Sequence, residues 1–131
     1  MLVLHKVFEA GEGRCRVFLE AALTPDGVSV NLFGGERPHI GAVALCFPWP
    51  LACNPAKTDI TSAVLPVPGH KDGELAGELA KKIARACRLP VAMVAGLHID
   101  HALPHEIERL VEASHRAAEE LIDWLTLQQK F

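Results

Sequence analysis

The feature that most constrains this fold is an alternation from Arg14 to Phe33, broken once by Thr24-Pro-Asp-Gly27. Val17, Leu19, Ala21 and Leu23 recur at every second position before the break, and Val28, Val30 and Leu32 after it. A period of two places each set on one side of a pleated strand, so the stretch predicts a hairpin with one apolar face. Pro25 pre-sets φ in the turn, and Gly27 is expected to take a positive φ. An apolar sheet face has to be covered, and the rest of the chain must supply the cover.

Two later stretches do so. From Gly73 to Arg88, Leu75, Leu79, Ile83 and Ala86 repeat at helical spacing. Asp72 is placed to cap that helix through its carboxylate. A second helix opens at Pro104, with a stripe of Ile107, Leu110, Val111, Ser114, Ala118, Leu121, Ile122 and Leu125. Its N-cap position falls on Leu103, which offers no side-chain oxygen. Between the helices, residues 91–100 form an apolar run that reads as a buried strand. Residues 3–9, 40–47 and 60–67 read as further strands, whereas the three prolines of Phe47–Pro55 predict a loop. Gly41, Ala42 and Ala44 make the strand before that loop slender, which suits close packing of a helix. The expected fold is α+β: an antiparallel β-sheet with two α-helices packed on one face, in the order β-β-β-β(-β)-α-β-α. Residues 1–131 form a single domain.

Composition narrows the function. Half of the 131 residues are hydrophobic and 22% are charged, as in a globular domain with a real core. A formal charge of −3 argues against a nucleic-acid partner, and no apolar run is long enough to span a membrane. Cys15, Cys46, Cys53 and Cys87 show no paired metal spacing, and no export signal precedes them. Reduced thiols and a cytoplasmic location are the expectation.

The chemistry concentrates in short polar stretches at strand ends. Pro66-Val-Pro-Gly-His-Lys-Asp-Gly73 brings Gly69, His70, Lys71 and Asp72 to the start of a helix. Unpaired N–H groups, a positive dipole end and two basic side chains there form the composition of an anion site. A plain capped helix after a proline turn fits the same residues. Gly96-Leu-His98-Ile-Asp100-His101 is the second cluster, with His98 and Asp100 on one side of the strand. These residues and Pro38-His39 sit where strands begin or end, so a sheet edge can gather them into a partly cationic pocket floored by Gly41 and Ala42. Histidine and aspartate suit metal binding or acid–base work, and an enzyme using His70, His98 and Asp100 is one alternative. No nucleophile motif, dinucleotide fingerprint or P-loop is present, so no catalytic residue and no metal ligand is assigned, and a bound metal is not expected. A second alternative is a dimeric assembly chaperone with no small-molecule site, docking through Phe47–Leu51 or a sheet edge.

Three blocks resemble a known family: residues 34–44 (Gly-Gly-Glu-Arg-Pro-His-Ile-Gly-Ala-Val-Ala), 68–72 (Pro-Gly-His-Lys-Asp) and 95–100 (Ala-Gly-Leu-His-Ile-Asp). They look like those of the hydroxyarylic acid decarboxylase subunit-D-like proteins, also described as prenylated-flavin chaperone-like domains. The resemblance covers nearly the whole chain. It implies a fold similar to proteasome assembly chaperones, often dimeric, and a non-catalytic accessory role. In that role the protein helps a UbiD-type decarboxylase acquire or mature prenylated FMN, with FMN or prenylated FMN as its ligand and a homodimer as its assembly. His39, Gly41, His70, Lys71, Asp72, His98 and Asp100 match the family blocks, and Gly69 joins them as the hinge of the anion loop.

Overall fold

The hairpin organises the computed structural model, which describes residues 2–54 and 56–129. Strands β2 (Val17–Thr24) and β3 (Gly27–Gly35) pair antiparallel, and β1 (Leu4–Ala10) adds to the outer side of β2. Gly27 does not take the expected positive φ. The turn closes instead with the Pro90 carbonyl lying close: a Cβ on Gly27 would sit 3.1 Å from that oxygen, which accepts the Val28 N–H at 2.9 Å.

Strands β4 (Ala42–Pro50) and β5 (Thr58–Pro66) form a second antiparallel pair. Helix α1 (Gly73–Cys87) then carries the chain across the sheet to β6 (Val91–His98), and α2 (Pro104–Gln128) closes it. The strand order is β1-β2-β3-β6-β4-β5, so β6 is central. It runs antiparallel to β4 but parallel to β3, a pairing that needs a crossover such as α1. The sheet is therefore antiparallel at every pair except this one.

β4 continues through Pro48 and Pro50, where the prolines predict a loop. The reason is an open flank. β6 pairs with β4 only from Ala42 to Cys46, so beyond Cys46 the strand has β5 on one side alone. A proline that lacks an N–H is tolerated on such an edge. The loop shrinks to the residues after Pro50, and Pro55 lies outside the described residues.

Both helices pack on one sheet face, against fully buried Val17, Leu19, Val30, Leu32, Ala44, Cys46, Val91 and Met93. Ala42 and Ala44 do let a helix approach: α1 turns Ala76, Gly77 and Ala80 inward, all buried. A Cβ on Gly77 would come within 2.9 Å of Val64. Ala86, expected in the α1 stripe, is exposed, because the buried side runs through Ala80, Ala84 and Cys87 instead. A polar contact of His115 with Glu78, at 3.4 Å, and the Lys82–Glu119 ion pair tie the helices together along their length. Both pairs advance in the same direction, so the helices run parallel and begin at one end of the sheet. The opposite sheet face is open and carries Val43, Leu45, Trp49 and Leu65, each at least 42% exposed. No helix among the described residues is long and apolar enough to cross a membrane.

Candidate functional site

Backbone packing at the end of β6 builds the site. The segment after β3 crosses over β6: the Glu36 and Arg37 N–H groups donate to the His98 carbonyl, and the Gly41 N–H donates to that of Ala95. Gly96 permits the crossing, since a Cβ there would lie 1.5 Å from the His39 carbonyl oxygen. Gly35 adopts φ +78°, with its missing Cβ against the His98 carbonyl at 2.2 Å. From the other side, the Val67 N–H donates to the Gly41 carbonyl, and Gly69 at φ +86° turns the chain into α1. The three sequence blocks thus meet at one point.

Asp72 lies at the centre. It occupies the N-cap position of α1, but its side chain makes no capping bond. Its backbone is already helical at φ −78°, ψ −11°, unlike the extended backbone that lets a capping side chain reach back. The expected cap is therefore replaced by tertiary contacts: Oδ2 lies 2.9 Å from His39 Nε2, and Oδ1 accepts the Leu97 N–H at 3.3 Å. Only 10% of the Asp72 side chain is exposed. Gly41 lies directly beneath it, where a Cβ would fall 1.8 Å from Oδ2. The α1 amino end, free of a side-chain cap, keeps the orphan N–H groups and positive dipole end that favour an anion.

His39 stacks on His70 at a ring separation of 4.2 Å, and the His98 ring stands 6.0 Å from that of His39. His98 donates from Nε2 to Asp100 Oδ1 at 2.9 Å. That bond, and then the charge of Arg37, holds the Asp100 carboxyl below its ordinary range. The structure thus divides the grouping of His70 with His98 and Asp100: His70 joins His39 and Asp72, while His98 and Asp100 form a separate pair. Arg14 braces the rim, donating to the Asp100 carbonyl at 2.8 Å and pairing with Glu36 and Glu106.

A cavity of about 360 Å³ opens among these groups, within the range of small-molecule sites, roughly 300–1,000 Å³. His39, Gly69, His70, Lys71, Asp72 and His98 line it, and Gly41 and Asp100 stand behind that lining. Its apolar wall, absent from the sequence-based site, comprises Leu75, Leu97, Ile99, Ala102, Ile107, Leu110 and Val111. One signal for it was present: the α2 stripe is wider than the core needs. Ile107 and Val111 remain 52% and 37% exposed because they face the cavity. A more open groove of about 1360 Å³ along α1 shares His70 and Lys71 with it, and the less open cavity is the better binding geometry.

Comparison with curated proteins finds none that matches. Among solved structures, the chain is similar to one from a chaperone complex for yeast 20S proteasome assembly, with a TM-score of 0.60 and 16% identity. The similarity covers 97% of this chain and 98% of that one, and at this identity it speaks for the fold alone. Residues 11–126, which hold every element that shapes the cavity, match the model of the prenylated flavin chaperone LpdD-like domain, and the chain belongs to that family.

Proposed function

We propose that the protein is a non-catalytic accessory factor that holds FMN or prenylated FMN on its way into a UbiD-type decarboxylase. The observation that carries this reading is the cavity's division into an apolar wall and a basic mouth at a helix start. The wall of Leu97, Ile99, Ile107 and Val111 suits a planar ring system, and Gly69, His70 and Lys71 suit a phosphate. The family's description as a prenylated flavin chaperone points the same way. The flavin would supply the decarboxylase's chemistry, while this chain's residues bind it, orient it and shield the ring from water. Arg14 and Arg37 sit at the rim and hold the two loops.

Titration of the metal-free protein with FMN and with its prenylated form, followed by fluorescence, tests the reading. Saturable binding is expected, weakened roughly 10-fold, or about 1.4 kcal/mol, in Lys71→Ala. No flavin binding would sink the cofactor-handling role, and full affinity in Lys71→Ala would remove the phosphate from this loop.

The open sheet face supports the second part of the proposal, a homodimer. Val43 pairs across the sheet with Leu65 and Val94, and Leu45 with Ala63 and Ala92, so the exposed apolar side chains are contiguous. Such a patch is characteristic of a protein contact. Leu45→Glu is expected to give a monomer by light scattering while changing stability by less than about 0.5 kcal/mol. A wild-type monomer would count against the dimer.

A further inference from the structure

We infer that His39, His70 and Asp72 form a binding site for a divalent transition metal ion of the zinc class, with an open coordination position toward the cavity. One ligand atom from each of the three residues lies within 4.8 Å of the others. Proximity alone would carry little, but the hydrogen bonding of His39 adds a constraint. Its Nδ1 lies 3.2 Å from the Arg37 carbonyl oxygen, which can only accept, so Nδ1 carries the proton. In the neutral ring Nε2 then presents a lone pair, and 2.9 Å away it meets the Asp72 carboxylate oxygen, which has only lone pairs to offer. A proton or a metal ion has to lie between them. A shared proton answers for two residues, whereas a metal ion answers for all three.

The surroundings match those of a ligated ion. A metal-binding histidine characteristically donates its other ring N–H to a backbone carbonyl, as His39 does to Arg37. The second oxygen of Asp72 is held by the Leu97 N–H, and the missing Cβ of Gly41 leaves the carboxylate its place. Asp72 also forgoes capping α1 in order to stand there. Two imidazoles and one carboxylate suit zinc and its first-row neighbours, whereas calcium and magnesium prefer all-oxygen sites. Zinc–nitrogen bonds near 2.0–2.1 Å place tetrahedral ligands about 3.3 Å apart, so the His39–Asp72 pair needs to open only slightly. His70 is exposed, and its ring has to turn off its stack on His39 to bring a nitrogen to the ion. With three protein ligands, the fourth position is left for water or an incoming oxygen atom.

The inference does not depend on flavin binding and is tested without it. Untagged protein, stripped with a chelator and dialysed, is titrated with Zn²⁺ by calorimetry and with Co²⁺ by visible absorption. One ion per chain is expected, with the intense cobalt bands of a four- or five-coordinate nitrogen–oxygen site. His70→Ala, Asp72→Asn and His39→Ala should each lose at least about 10-fold in affinity. His5→Ala, exposed on the edge strand β1 and away from the cavity, should bind as wild type does. His70 is at the surface, so its variant reports on the site even if Asp72→Asn does not fold. Absence of binding, or affinity unchanged in His70→Ala, overturns the assignment.

Discussion

The two helices start at the same cavity and start differently. At α2, Glu106 turns back and accepts the Leu103 N–H at 3.0 Å, one half of a capping box that Leu103 cannot complete. That carboxylate also pairs with Arg14 at 3.5 Å, so it serves the helix and the packing around it. At α1, Asp72 stands in the N-cap position and leaves the helix uncapped. A capping carboxylate is worth about 1 kcal/mol, and α1 forgoes it for a contact with a histidine 33 positions away in the chain. A local rule is kept at one helix and broken at its neighbour, and such a break marks the place where function has a claim.

The largest test of this contrast strikes the backbone crossing that brings His39 to Asp72. Gly96→Ala would drive a Cβ into the His39 carbonyl, a backbone atom with nowhere to move. Destabilisation of about 3 kcal/mol or more is expected on denaturant unfolding, at the upper end for overpacking. A loss below about 1 kcal/mol would mean that the loop and strand separate easily and that the site is not built as described.

The second test exchanges the roles of the two carboxylates. Glu106→Ala should cost about 1–2 kcal/mol of global stability and leave ion and flavin titrations unchanged. Asp72→Ser removes the carboxylate from His39 and from the Leu97 N–H, and the helical backbone at position 72 keeps the new hydroxyl from capping α1. Amide exchange in the first turn of α1 should hold steady, even as the site loses its ligands. If Glu106→Ala weakens the site as much as Asp72→Ser does, the contrast between the helices collapses.

The same contrast explains how far the sequence could be read. Alternation at Val17–Leu23 and Val28–Leu32 announced the hairpin, and the helical stripes announced α1 and α2, because burial on one face imposes a period that one chain segment displays by itself. Proline rules failed at Pro48 and Pro50, since the tolerance there comes from the missing neighbour beyond Cys46, a property of the sheet. Gly69, His70, Lys71 and Asp72 are neighbours in the chain, so the sequence alone groups them. That His39 faces Asp72, and that His70 stacks on His39 instead of joining His98, depends on the crossing over Gly96. The role of Asp72 was misread for the same reason: capping is the local option, and the contact that displaced it is long-range. The wall of Ile107 and Val111 looked like core, because an apolar residue facing a cavity has the same helical period as one facing a sheet.

The smallest expected effect sits at the rim, where the pair separated from His70 can be watched directly. His98 and Asp100 are both exposed, and their hydrogen bond favours the charged carboxylate, which holds the Asp100 carboxyl below the ordinary range. A carboxyl so lowered stabilises the fold at pH above its unfolded value, and that stabilisation is lost as the pH falls through the lowered one. The loss should therefore appear only on the acid side of the usual carboxylate range. Solvent screening keeps it slight, so carbon-13 NMR titration of the carboxyl is a better measure than melting. In His98→Ala the Asp100 midpoint should move back toward the ordinary value, whereas in His70→Ala it should stay where it is. A midpoint that moved in His70→Ala as well would place all these groups in one coupled cluster and undo the division between the His39–His70–Asp72 trio and the rim pair.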